Sequence, residues 1–234
     1  MSQMPFWDHL DELRSRLIKV VLVVSIGAFA AFWFADLVLF WLLKPAPMSQ
    51  TFLTSLKPAG VFVQSMHLSA LVGFIFAFPF LCYQVWRFAS PALAAKEKQL
   101  LILAFSWGAF LFCVGVLFAY FLVIPKALSF FWNYTKDMGV QPAWTLEEYL
   151  DFVLMFLLSF GIAFELPLLI VLLVRFQILT SAWLSQKRPH IIVVIAIVAA
   201  ILTPPDVMSQ LMLGIPLWIL FELSLVISRF VEKH

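Results

Sequence analysis

Charge is scarce in this chain. Asp, Glu, Lys and Arg make up 12% of its 234 residues, about half the roughly 25% found in soluble domains. Such a thin polar supply cannot clothe a soluble shell, and 64% of the residues are hydrophobic, with a mean hydropathy of +1.02. The formal net charge of +2 is too small to mark a nucleic-acid surface. Cysteine is almost missing. Cys82 and Cys113 both lie inside apolar runs and read as small packing or lipid-facing residues rather than as a disulfide or metal pair. His9, His67, His190 and His234 have no ligand-like spacing, so no metal site is expected. Ser/His/Asp arrangements, Gly-rich phosphate loops and paired in-membrane carboxylates are also lacking, so neither catalysis nor a cofactor is expected. Near the start, Asp8, Asp11 and Glu12 stand where a signal peptide would carry a basic region, so no cleavable leader is expected.

What the chain does have is length in its apolar runs. They are continuous rather than alternating, which disfavours a β-barrel and leaves an all-α polytopic bundle in lipid. A membrane helix needs roughly 20 apolar residues. Runs at 18–43, 66–88, 99–125 and 150–174 meet that requirement. Two more are expected at 190–203 and 207–228, a tight hairpin around Pro204-Pro205-Asp206 whose fifth and sixth helices read as short. The whole of 1–234 reads as one integral membrane domain. No internal repeat is apparent, which counts against transporters built from inverted halves.

Orientation follows from the basic residues. On this topology 11 of the 15 Lys and Arg fall on one side and 4 on the other, so both termini are expected in the cytoplasm. Before the first span, Phe6, Leu10, Leu13 and Leu17 form one helical stripe, while Asp8, Glu12 and Arg16 follow each other every four residues. An amphipathic surface helix over 1–17 is the expectation. By spacing alone it reads equally as an anchor with ion pairs or as a binding face.

Four further places carry polar groups in telling positions. The loop around Phe88 to Glu97 on the cytoplasmic side is either a capped turn, stopped by Pro91 with Glu97 in the next first turn, or a binding site. Glu165 lies halfway along the fourth span, between Gly161 and Pro167. A carboxylate at that depth costs several kcal/mol if ionised and alone, so it either bonds to a neighbouring helix or serves a polar site. Pro167 removes a backbone donor and can open the helix. Asp206 can cap the sixth helix, with Gln210 one turn on. Glu222 reads as an interfacial carboxylate.

Read together, the motifs are familiar. His9-Leu-Asp-Glu-Leu-Arg-Ser-Arg16, Tyr83-Gln-Val-Trp-Arg-Phe-Ala-Ser-Pro-Ala-Leu with Glu97, Phe118-Ala-Tyr-Phe, Phe160-Gly-Ile-Ala-Phe-Glu-Leu-Pro, Lys187-Arg-Pro, Leu202-Thr-Pro-Pro-Asp-Val and Phe221-Glu-Leu resemble, in order, the conserved blocks of the TatC family of twin-arginine translocases. The resemblance covers nearly the whole chain. It implies a glove-shaped bundle of six membrane helices in a prokaryotic plasma membrane. It also implies a receptor for twin-arginine signal peptides that works with TatA- and TatB-type single-span partners, self-associates, and is driven by the protonmotive force. By the same resemblance Glu12 and Glu97 hold the two arginines, Phe88 lines that site and Arg14 supports it. Glu165 is the polar group of the concave face, Pro45 is the proline after span one, and Asp206, Gln210 and Glu222 are partner-facing or structural. The alternative from another class is a proton-coupled small-solute secondary transporter, for which a membrane Glu and broken helices are also expected.

Overall fold

The structure is a computed structural model that describes residues 6–46, 53–89 and 95–232, without the side chains of residues 6, 8, 9, 86, 89, 95–103 and 231. Among the described residues it is helical, with a single isolated bridge between Thr54 and Thr145 and no strand. The elements are α1 (Phe6–Phe32), α2 (Ala35–Leu43), α3 (Gly60–Ala89), α4 (Ala95–Phe118), a π-helical turn (Ala119–Val123), α5 (Ile124–Asp137), α6 (Leu146–Ala163), α7 (Leu166–Arg175), α8 (Ser181–Gln186), α9 (Arg188–Leu202) and α10 (Val207–Glu232). Among the described residues five helical runs are long and apolar enough to cross a membrane: Leu10–Phe32, Gly60–Val85, Ala104–Asp137, Leu146–Arg175 and Val207–Phe230. The shorter apolar helix α9 joins them. The chain is a multi-pass membrane protein.

Several boundaries differ from the sequence expectation. Among the described residues no separate surface helix precedes span one; α1 runs unbroken from Phe6 to Phe32. Nothing between these residues breaks a helix, since no Pro intervenes and Glu12 pairs with Arg16 one turn on. The first span is instead broken at Trp33 and Phe34, whose amides turn back three residues to Ala30 and Ala31 at 3.2 and 3.0 Å. Asp36 then stands in the first turn of α2, where the helix dipole favours a carboxylate. The third span does not stop at residue 125 but continues through the π-turn into α5. Pro125 sits in the first turn of α5, where its missing N–H costs nothing. The fifth helix is short, 15 residues or about 22 Å, but the sixth is not: α10 has 26 residues and continues past Glu222.

The single expected domain divides into two compact units, residues 1–39 with 62–110, and residues 40–61 with 111–234. In the first, α1 and α3 pack antiparallel. A Cβ on Gly73 would lie 2.4 Å from the backbone nitrogen of Ala28, and one on Gly27 would lie 3.2 Å from Gly73 Cα. Small residues let helix backbones meet this closely, the usual device of membrane interfaces. Phe32 and Phe62 meet edge-on at 5.9 Å nearer the other end of the pair.

In the second unit the last turns of α4 pack on α6 through two more glycines. A Cβ on Gly115 would lie 2.4 Å from the carbonyl oxygen of Phe160, and one on Gly161 would lie 2.6 Å from the Phe112 ring. Phe152, Phe156 and Phe160 stack along α6 at 4.4 and 6.1 Å, and Phe118 joins Phe160 and Phe164. Helix α10 packs chiefly on α7 and α9. Helix ends are closed locally. Thr145 and Thr180 accept from Glu148 N and Trp183 N, each at 3.2 Å. Gly139 (φ +77°) ends α5 with bonds from its N–H to Lys136 O (2.9 Å) and from Val140 N–H to Thr135 O (3.2 Å), the paired closure that a left-handed residue permits.

Candidate functional site: an arginine-held carboxylate at the α1–α3 end

Glu12 lies on α1 and is ion-paired with Arg16 one turn on. The Arg16 Nε donates to Glu12 Oε1 at 3.1 Å, and its Nη2 donates to the same oxygen. The Arg16 Nη1 reaches across to α3 and donates to Gln84 Oε1 at 3.3 Å. Gln84 is buried. Residues 27 and 73 pack together and 16 and 84 are bonded, so the antiparallel register pairs position 12 with position 88. Phe88, half-buried one turn beyond Gln84 on α3, therefore stands level with Glu12. The two residues come from sequence blocks more than seventy positions apart, and α1–α3 packing brings them to one end of the unit.

Arg14 is exposed on α1. Glu97 is the third residue of α4; its side chain, and residues 90–94 of the loop before it, lie outside the described residues. The other predicted positions belong to the second unit. Pro45 lies just past α2, whose final carbonyls are met from elsewhere: Tyr120 Oη donates to Trp41 O and Tyr149 Oη to Leu42 O, both at 2.7 Å. Lys44 covers that end with its Nζ 3.4 Å from the Trp41 ring centroid, a cation–π contact. Tyr120 belongs to the Phe118-Ala-Tyr-Phe motif, but no role is read for it there, and Tyr149 is not singled out by sequence. The only signal in the sequence is that the helix ends in apolar residues, which offer no side-chain donors to its last carbonyls.

Glu165 sits at the break between α6 and α7, half-buried. The break has the expected cause, because Pro167 in the first turn of α7 cannot donate back into α6. Its Oε1 is buried without a hydrogen-bond partner among the described residues. Asp206 caps α10, its Oδ1 accepting from Ser209 N at 2.7 Å, and lines a cleft of about 350 Å³ with Phe131, Trp144 and Phe152. Gln210 Nε2 donates to Ala196 O at 2.9 Å, tying α10 to α9. Glu222 is ion-paired with Arg188, whose Nη2 donates to Oε2 at 2.8 Å while its Nε lies 2.8 Å from Oε1 without a hydrogen bond. Among the described residues no three His, Cys, Asp or Glu side chains group as metal ligands.

Comparison with known proteins gives one answer throughout. Residues 8–216 match the family model for the Sec-independent protein translocase protein TatC. A TatC of Haemophilus influenzae is 38% identical over 97% of this chain and 90% of its own length. One of Escherichia coli K12 is 37% identical over 97% and 88%. A crystal structure of the twin-arginine translocase receptor TatC superposes with a TM-score of 0.85 at 36% identity, covering 95% of this chain and 99% of that one. The chain belongs to the TatC family of Sec-independent protein translocases.

Proposed function

We propose that this chain is the receptor subunit of a twin-arginine translocase, that it binds twin-arginine signal peptides at the Glu12 end of the α1–α3 pair, and that Glu97 supplies the second carboxylate. The observation that carries the reading is the Glu12–Arg16 contact itself: a carboxylate of this site already holds a guanidinium, and does so beside an aromatic position. Arginine suits such a site because its planar fork makes directional, charge-assisted bonds to carboxylates, whereas lysine offers a compact point charge. Phe88 lines the same place, and Arg14, exposed on α1, supports it. The role is recognition and transport, with no bond made or broken by this chain.

The 11-to-4 distribution of basic residues supports cytoplasmic termini in a prokaryotic plasma membrane, which puts the receptor end where cargo is made. Single-span subunits of the TatA and TatB type, and further copies of this chain, complete the assembly. Glu165 gives the interior a polar place for a partner or peptide group, and Glu165→Leu is expected to impair export while leaving the protein folded. The small-solute transporter alternative is not favoured, since the relatives are protein translocases and Glu165 Oε1 meets no converging polar groups among the described residues. The test is direct. Purified protein is expected to capture a signal peptide bearing Arg-Arg and to lose it when the pair is Lys-Lys. Equal capture of both peptides would remove the reading.

A further inference from the structure

The four basic residues on the external side of the topology, Lys44, Lys57, Lys126 and Lys136, all belong to the second unit. Three of them have a partner in the protein. Lys44 Nζ stands 3.4 Å from the Trp41 ring centroid, and Lys136 Nζ stands 5.2 Å from that of Trp132. Lys57 interacts electrostatically with Glu147. Lys126, exposed in the first turn of α5, has no ion pair, hydrogen bond or ring contact among the described residues. Its charge is unanswered.

Lys126 stands at the head of an apolar groove of about 350 Å³. Phe118, Leu122 and Lys126 follow each other every four residues along one wall, and Leu211, Met212 and Ile215 of α10 line the other. The π-turn interrupts the first wall, with the Ile124 N–H reaching back five residues to Ala119 O, a device frequent at functional sites. The depth of the groove follows from its neighbours. Tyr120 bonds to Trp41 O and Lys44 covers the same tryptophan, a grouping that marks the boundary between hydrocarbon and headgroups. Lys126 comes six residues after Tyr120, about 9 Å further along the helix, and so stands at headgroup level. Phe118 lies on the hydrocarbon side of that boundary.

We propose that this groove binds an anionic phospholipid of the adjoining leaflet, the outer one on the orientation that the basic residues favour. An acyl chain lies between the third span and α10, and the headgroup phosphate meets Lys126. Charge selects the occupant, because a lone ammonium favours a headgroup of net negative charge over a zwitterionic one. Size argues for a chain rather than a partner helix. One turn of a helix about 10 Å across and 5.4 Å long occupies roughly 400 Å³, more than the groove holds. The inference is independent of the receptor reading, since Glu12 belongs to the other unit.

The experiment reconstitutes the full chain in nanodiscs of phosphatidylcholine with a minor share of phosphatidylglycerol, then counts the lipids retained in detergent by native mass spectrometry. Wild type is expected to enrich phosphatidylglycerol. Lys126→Gln is expected to lower that enrichment about fivefold, the scale of one lysine's attraction to anionic lipid, and Lys126→Arg to keep it. Lys44→Gln, which removes a lysine already held by aromatic rings, is expected to leave it unchanged. Leu122→Trp fills the groove from a position 47% exposed, and so is expected to reduce retention of both lipids without loss of fold. The inference is overturned if wild type retains the two lipids in bulk proportion, if Lys126→Gln keeps the enrichment, or if Lys44→Gln lowers it as much. It is equally overturned if Leu122→Trp retains both lipids, or if a photoreactive group at position 122 captures a partner protein rather than lipid in native membranes.

Discussion

Two Arg–Glu contacts in this protein differ in a way that separates a clamp from a site. Arg188 and Glu222 join α9 to α10, with Arg188 Nη2 donating to Glu222 Oε2 at 2.8 Å and its Nε 2.8 Å from Oε1 as an ion-pair contact rather than a hydrogen bond. Arg16 and Glu12 lie on one helix, crowd a single oxygen and lend a donor to Gln84. The clamp is also the more exposed pair, at 42% and 31% against 12% and 23%. The pair that ties two helices together is thus in the wetter place, and the pair carried by one helix is the sheltered one. The first fastens one helix to another, whereas the second holds a carboxylate at the receptor end.

The contrast can be broken first at Glu12. Glu12→Lys is expected to lower Arg-Arg peptide affinity at least about 100-fold, as a site carboxylate becomes a like charge, whereas Glu222→Lys should leave that affinity unchanged; peptide titration checks both. Next comes the packing that holds the receptor end together. Gly73→Val drives side-chain atoms into the α1 backbone near Ala28 and is expected to cost about 3 kcal/mol, read as a lower melting temperature in detergent together with weaker peptide binding. Arg188→Gln is expected to cost only about 1 kcal/mol, since the pair is partly exposed, with the same melting measurement and no change in peptide affinity. The smallest effect has the opposite sign. Gln177 closes α7 at φ 57°, with its N–H on Val174 O at 3.0 Å and the Ile178 N–H on Leu173 O at 3.0 Å. Gln177→Gly relieves that left-handed strain and is expected to raise stability by less than about 1 kcal/mol. A fall in melting temperature would show that the Gln177 side chain is needed.

Legibility from sequence follows range. The break at Glu165, the Asp206 cap and the short fifth helix all depend on residues within a turn or two, so proline positions and helical periodicity reveal them. The continuity of α1 could also have been read, because no breaker separates residues 6 and 32. The amphipathic pattern before residue 18 suggested a surface helix instead, since hydrophobicity reports where a residue sits and not whether the backbone bends there. Helix α10 runs to Glu232, four residues beyond the expected end at 228, and Glu222 within it is paired with Arg188 rather than breaking the helix.

Composition and run length alone therefore made this chain a helical membrane protein, because a backbone in lipid must satisfy its own hydrogen bonds and only long apolar helices do so here. The ordered short motifs named its family. Pairing was decided in space. Nothing in the order of residues says that Gln84 takes a donor from Arg16, that Phe88 stands level with Glu12, or that two tyrosines fill the carbonyls ending α2. Those contacts join positions tens of residues apart, and it is close helix packing, through glycines that let backbones approach, that sets which side chains meet.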